Sequence, residues 1–94
     1  MVPVNEPRIA KNALKYVSDC IKTGWVSSAG SYLKEFESKF AERFGVKHAI
    51  TTTNGTASLH LAIASLNIGK GDEVILPAHT MMASAGAVVY TGAT

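Results

Sequence analysis

Cysteine is almost absent from this 94-residue sequence, in which Cys20 stands alone. A single thiol cannot form a disulfide within the chain, and no pair of Cys or His residues has the spacing of zinc ligands. No segment has the apolar length of a signal peptide or of a membrane span. We therefore expect no disulfide scaffold, no metal site and no membrane anchor, and a cytoplasmic location.

An excess of one charge is also missing. Nine Lys and Arg residues face seven Asp and Glu residues, which gives a formal net charge of +2. The basic residues are scattered along the chain, so they form no stripe that would follow a phosphodiester backbone. We expect neither nucleic acid nor a membrane as a partner, and the 47% of hydrophobic residues indicates a chain that packs a core.

Apolar residues at helical spacing predict four helices. Gly24 and Gly45 end the first two, because glycine accepts the left-handed conformation that follows many helices. In the fourth, residues 88–90 (VVY) leave a strand possible. The predicted ranges are 8–23, 31–44, the stretch from Thr56 to Leu66, and 81–90.

Two short apolar segments predict β-strands, at residues 48–53 (HAITTT) and 73–76 (EVIL). Their alternation with helices predicts an α/β fold with parallel strands and flanking helices. Two parallel strands form a poor sheet on their own, so we expect an incomplete sheet in a truncated domain. We divide the chain into an N-terminal helical segment, 1–45, and the start of an α/β domain, 46–94.

The turn from Asn54 to Ala57 joins the first predicted strand to the third helix. A turn of this kind leaves backbone N–H groups unpaired at the positive end of a helix, an arrangement that favours a phosphate. Gly55 has no side chain to block a close approach, and Thr56 adds a hydroxyl. On spacing alone an ordinary turn capped by Asn54 or Thr56 is favoured, since the segment is neither a P-loop nor a G-x-G-x-x-G motif.

The histidines and the tryptophan carry weaker signals. His79 follows the second predicted strand at the same sheet edge, and is a ligand group, an acid–base group or, as the favoured reading, a solvated turn residue. His48 is expected on the surface, and His60 on a helix face in packing or in solvent. Trp25, in the small-residue loop 25–30 (WVSSAG), is read as a packing residue.

The order and spacing of several short motifs resemble the DegT–DnrJ–StrS family of nucleotide-sugar aminotransferases. Each motif is weak alone, but together they cover nearly the whole chain. Within the family the chain looks most like enzymes that aminate a 4-keto nucleotide sugar, such as perosamine synthases. The matching segments are VPVNEP at 2–7, GWVSS at 24–28 with Gly30, FE at 36–37, FA at 40–41, NGTASLHLA at 54–62, GDEVI at 71–75, Pro77, Thr80 and GA at 92–93.

The resemblance implies the N-terminal part of a fold-type I large domain that binds pyridoxal 5'-phosphate. It implies a nucleotide-linked ketosugar as amino acceptor, glutamate as donor and a homodimer in the complete enzyme. The sugar would belong to a surface polysaccharide, such as an O-antigen, or to an antibiotic. The family's acidic partner for the pyridine nitrogen and its Schiff-base lysine would lie beyond Thr94. We therefore expect no catalytic residue in this chain.

The resemblance also assigns binding residues. Thr56 and Ala57 fall where the family's turn gives backbone amides to the cofactor phosphate, and Gly55 opens the approach to them. Met81 falls where the family usually has an aromatic residue on the pyridine ring, and its thioether can still cover a ring face. The loop with Trp25 and Ser27 corresponds to a region near the sugar substrate.

Two rival hypotheses belong to other classes. The chain could be a small non-catalytic α/β module that binds a phosphorylated ligand through the turn at residues 54–57. Alternatively, it could only associate with a full-length homologue. A stable monomer with phosphate-dependent stabilisation would favour the module, whereas an aggregating polypeptide would favour a truncated enzyme.

The 94 residues alone should form no specific covalent adduct with pyridoxal phosphate. All seven lysines fall on helices or turns that read as solvated, without the environment that lowers an amine pKa for Schiff-base chemistry. Borohydride reduction followed by peptide mapping checks this expectation. A stoichiometric adduct on one lysine would contradict it.

Overall fold

The computed structural model describes residues 2–3 and 5–94. Val4, part of the family motif at 2–7, and Met1 lie outside this description. The described residues form four α-helices and divide into two compact units, Met1–Ala49 and Ile50–Thr94. None of the helices found there has the length and apolar character needed to cross a bilayer. The predicted division between residues 45 and 46 stays a prediction.

The first unit contains α1 (Ala13–Thr23) and α2 (Ser31–Phe44). The predicted glycine stops are confirmed, because Gly24 and Gly45 both adopt left-handed backbone conformations, at φ 76° and φ 65°. The predicted start of α1 at residue 8 was five residues too early. Residues 11–12 form a turn instead, in which the Ala13 amide donates to the Ala10 carbonyl at 2.9 Å.

Tyrosine side chains connect α1 and α2. The rings of Tyr16 and Tyr32 meet edge to face with centroids 5.0 Å apart. The Tyr32 hydroxyl donates a hydrogen bond of 2.8 Å to the Asp19 carboxylate. That hydrogen bond is the main reason that the pKa of Tyr32 rises to about 12, because it stabilises the protonated phenol.

The second unit contains α3 (Gly55–Ser65) and α4 (Met82–Thr91), which pack against each other. Its buried apolar residues are few and mostly small: Ala87, Val88 and Ala93. The fourth predicted helix is confirmed, and the alternative of a strand at residues 88–90 was wrong. These residues form a helix because the apolar Val88 side chain is then buried on one face of α4.

The end of α4 lies directly against the turn that follows α3. A Cβ atom on Gly69 would meet the Thr91 carbonyl oxygen at 3.3 Å, and one on Gly92 would meet the Lys70 backbone nitrogen at 3.7 Å. Gly92 also ends α4 at φ 82°. Glycine therefore serves both the close approach and the left-handed end of the helix.

The two predicted strands are not confirmed by the structure. Residues 48–53 and 73–76 are irregular, and the described part of the chain contains no β-strand. A β-strand needs a ladder of hydrogen bonds to a neighbouring strand, and no second strand lies beside either segment among residues 2–3 and 5–94. Ile75, in the second segment, is 99% exposed.

One local pairing survives beside the second segment. The Thr94 amide donates to the Asp72 carbonyl at 3.0 Å, and the Val74 amide donates to the Thr94 carbonyl at 2.8 Å. These two bonds flank Glu73 on both sides. They reproduce the slanted hydrogen-bond pattern of a single rung between parallel strands.

Replacing Gly92 by alanine should destabilise the fold by about 1 kcal/mol or more, because alanine resists a positive φ. The Gly86→Ala substitution is the matched control. Gly86 lies inside α4, where alanine should stabilise by about 0.5–1 kcal/mol. An added Cβ there meets only the Tyr90 ring at ordinary contact distance. Denaturant unfolding followed by circular dichroism measures both, and shifts of the same sign would contradict the assignment.

The Asp19→Asn substitution should bring the pKa of Tyr32 down from about 12 towards the ordinary value of 10.0. Because the folded-state pKa is raised, the bond stabilises the fold below pH 10 and this contribution disappears as the pH rises through 12. Titration of phenolate absorbance measures the change. An unaltered Tyr32 titration would show that the bond to Asp19 is not its cause.

Candidate functional site

The first turn of α3 has one capped backbone amide and two that have no hydrogen-bond partner among the described residues. The Ala57 amide donates to the Asn54 side-chain oxygen at 2.9 Å, so Asn54 caps the helix. The amides of Gly55 and Thr56 hydrogen bond to none of the described residues. Both sequence interpretations of this turn therefore apply: one donor is capped and two remain available.

Asn54 is held in place through its carbonyl oxygen. This oxygen accepts from the Ser58 amide at 3.1 Å and from the Thr52 hydroxyl at 3.0 Å. The Ser58 hydroxyl approaches the same oxygen at 3.3 Å and also pairs with the Thr52 hydroxyl. The turn thus has a fixed geometry before any ligand arrives.

The electrostatic environment of this turn suits an anion. The first turn of α3 contains no acidic residue, so nothing offsets the positive end of the helix. A Cβ atom on Gly55 would meet no other group within 4 Å, which leaves open space beside this residue. Two unpaired N–H donors beside the Thr56 hydroxyl match the acceptor oxygens of a phosphate.

A hollow of about 420 Å³ adjoins the turn and is lined by Asn54, Thr56, Ala57, His60 and Tyr90. The rings of His60 and Tyr90 meet edge to face with centroids 5.5 Å apart. The sequence analysis assigned neither residue to a site. His60 had one usable signal, its position four residues after Thr56 on the same helix face. Tyr90 had none, because the packing of α4 brings it to the hollow.

Met81 is the residue immediately before α4, and its side chain is 78% exposed. It is not among the residues that line the hollow. Nearby, the hydroxyls of Thr80 and Ser84 lie 3.2 Å apart, which steadies the start of α4. The structure therefore leaves Met81 free to meet a ligand but shows no contact that would fix its role. His79 is likewise exposed.

Trp25 and Ser27 belong to the first unit. Trp25 is 55% exposed, and its backbone with that of Ser27 surrounds the buried Gly30. The loop is thus locally packed around glycine while the indole remains accessible. No group of His, Cys, Asp or Glu side chains suited to a metal ion occurs among residues 2–3 and 5–94.

Comparisons with known proteins match this chain over nearly its full length. It is 53% identical over 93 residues to GDP-perosamine synthase from Vibrio cholerae, which covers 99% of this chain and 25% of that relative. GDP-perosamine synthase from Escherichia coli O157:H7 is 47% identical over the same number of residues. The chain spans about a quarter of the length of these relatives.

Solved structures agree with the sequence relatives. The putative sugar aminotransferase Spr1654 from Streptococcus pneumoniae, in its PLP form, superposes with a TM-score of 0.86 at 32% identity, and covers 99% of this chain and 24% of that one. These solved relatives are pyridoxal-phosphate enzymes of fold-type I, which supports the predicted fold class without its parallel strands.

The sequence model of the DegT/DnrJ/EryC1/StrS aminotransferases matches residues 7–94. Enzymes of this family use pyridoxal phosphate, which is the cofactor predicted from the sequence. The likeness to perosamine synthases, expected from motif order, is confirmed by the relatives. With a match of this extent, the chain belongs to the DegT/DnrJ/EryC1/StrS aminotransferase family.

Proposed function

We propose that this chain is the N-terminal part of a pyridoxal-phosphate-dependent aminotransferase that transfers an amino group to a nucleotide-linked ketosugar. The family membership and the 53% identity to a GDP-perosamine synthase support this reaction class. Glutamate is the proposed amino donor, and a cytoplasmic homodimer is the proposed assembly. The product would enter polysaccharide biosynthesis, as an O-antigen sugar does.

The observation that carries the proposal is the pair of unpaired amides at Gly55 and Thr56. They lie at the helix end where the resemblance to the family implies the cofactor phosphate. The Thr56 hydroxyl adds a third donor. Ala57 lines the same hollow, but Asn54 already bonds its amide, so a phosphate would share or displace that bond.

Bound pyridoxal phosphate would supply the electron sink for transamination. This chain's residues would anchor its phosphate and cover part of its ring. Met81 would provide an apolar, polarizable contact to one ring face. Trp25 and Ser27 would contribute to the sugar side of the site.

The parallel sheet and the domain division belong to the same proposal. The hydrogen bonds that flank Glu73 have the pattern of a parallel rung, which supports a sheet that continues beside residues 73–76. Residues 46–94 would form the beginning of the cofactor-binding domain, and residues 1–45 the helical segment that carries the substrate-side loop. We further propose that the 94 residues are inactive alone, because no lysine lies in the turn or the hollow.

The Gly55→Pro substitution tests the phosphate assignment. Proline fits the first position of a helix, and Asn54 before it is extended at φ −165° and ψ 169°, as residues before proline prefer. The change therefore deletes one free amide without removing a helix bond. Loss of a charge-assisted hydrogen bond of about 1.5–3 kcal/mol should weaken pyridoxal-phosphate binding by about tenfold or more.

The binding constant is measured by titrating the cofactor into the cofactor-free full-length enzyme. The Gly55→Ala variant is the matched control, since it adds a methyl group in open space and retains the amide. Circular dichroism should show an intact helix in both variants. Equal affinity of the proline and alanine variants would remove the Gly55 amide from the site.

A further inference from the structure

We propose that His60 is an additional binding residue for the cofactor phosphate, and that Tyr90 holds its ring in position. This inference rests on the proposed function, because it concerns the same anion at the start of α3. It goes further by assigning a side chain to a site so far built from backbone groups and a hydroxyl.

The position of His60 on α3 places its ring in the hollow that Thr56 also lines. It follows Thr56 by four residues, so both side chains lie on one face of the helix, about 6 Å apart along its axis. Side chains on a helix lean towards its N-terminus, which carries the His60 ring towards the first turn. Thr56 and His60 accordingly line the same hollow.

The partners of His60 leave its polar atoms available. Its ring packs edge to face against Tyr90, with an interplanar angle of 62°. This contact restricts the orientation of the imidazole. Within the described residues, neither nitrogen of His60 has a hydrogen-bond partner, and the residue is half-buried.

The chemistry of the hollow favours an anion as the recipient. An imidazole always carries at least one N–H donor, whereas the lining contains no Asp or Glu that would occupy it. A phosphate bound by the Gly55 and Thr56 amides would place acceptor oxygens at the entrance of this hollow. His60 would then donate to one of these oxygens, and the Tyr90 ring would limit how far the imidazole can rotate.

Two substitutions separate hydrogen bonding from packing. His60→Phe retains a ring against Tyr90 but removes both nitrogens, so pyridoxal phosphate should bind about three- to tenfold more weakly to the full-length enzyme. His60→Gln loses the ring contact but keeps an N–H donor, so it should bind more tightly than the phenylalanine variant. His48→Phe, at an exposed position in the other unit, is the control.

Phosphorus NMR of the bound cofactor gives a readout that packing alone would not change. The phosphate resonance should move in His60→Phe relative to the parent enzyme and stay in place in His48→Phe. An unmoved resonance, or tighter binding by the phenylalanine than by the glutamine variant, would overturn the role of His60. If Gly55→Pro weakens binding and His60→Phe does not, this inference fails alone; if neither has an effect, the proposed phosphate site fails with it.

Discussion

The hydrogen bonds of Asn54 are the constraint on which the candidate site depends. Its side-chain oxygen accepts a hydrogen bond from the Ala57 amide. Its carbonyl oxygen accepts hydrogen bonds from the Ser58 amide and the Thr52 hydroxyl. One residue thereby starts α3 and fixes the strand-like approach to it. Because the cap satisfies only the third amide of the helix, the first two amides face outward. The proposed anion site thus consists of the two amides that an otherwise ordinary helix cap leaves unpaired.

Both units leave many large apolar side chains exposed. In the first, Phe36, Phe40 and Phe44 form a row along α2 with neighbouring rings 5.7 Å and 4.5 Å apart, and all three are exposed. This row joins an open groove of about 730 Å³ between α1 and α2. In the second, Ile75 has almost no cover. Such surfaces fit the proposal of a longer enzyme, of which relatives have about four times this length.

Sequence patterns predicted the features that depend on local chemistry. The left-handed ends at Gly24 and Gly45 were predictable because few other residues adopt a positive φ cheaply. The sequence left a capped turn and a phosphate-binding turn as alternatives at Asn54, and only the structure shows which amide the cap uses. The strands at 48–53 and 73–76 are not confirmed within the described residues, because β-propensity produces a strand only where a neighbouring strand pairs with it. Tyr90 was missed because its place in the hollow depends on how α4 packs, which no local pattern encodes.

The absence of acidic residues from the first turn of α3 affects two properties in opposite directions, the stability of the helix and its affinity for an anion. In most helices, an Asp or Glu at this place would add about 0.3–1 kcal/mol of stability through the helix dipole. Here the same carboxylate would repel the anion that we propose the free amides bind. An acidic substitution at Ala57 or Ser58 would therefore stabilise the helix and weaken coenzyme binding. Directed evolution for thermostability would have to find its stabilising substitutions elsewhere in the chain.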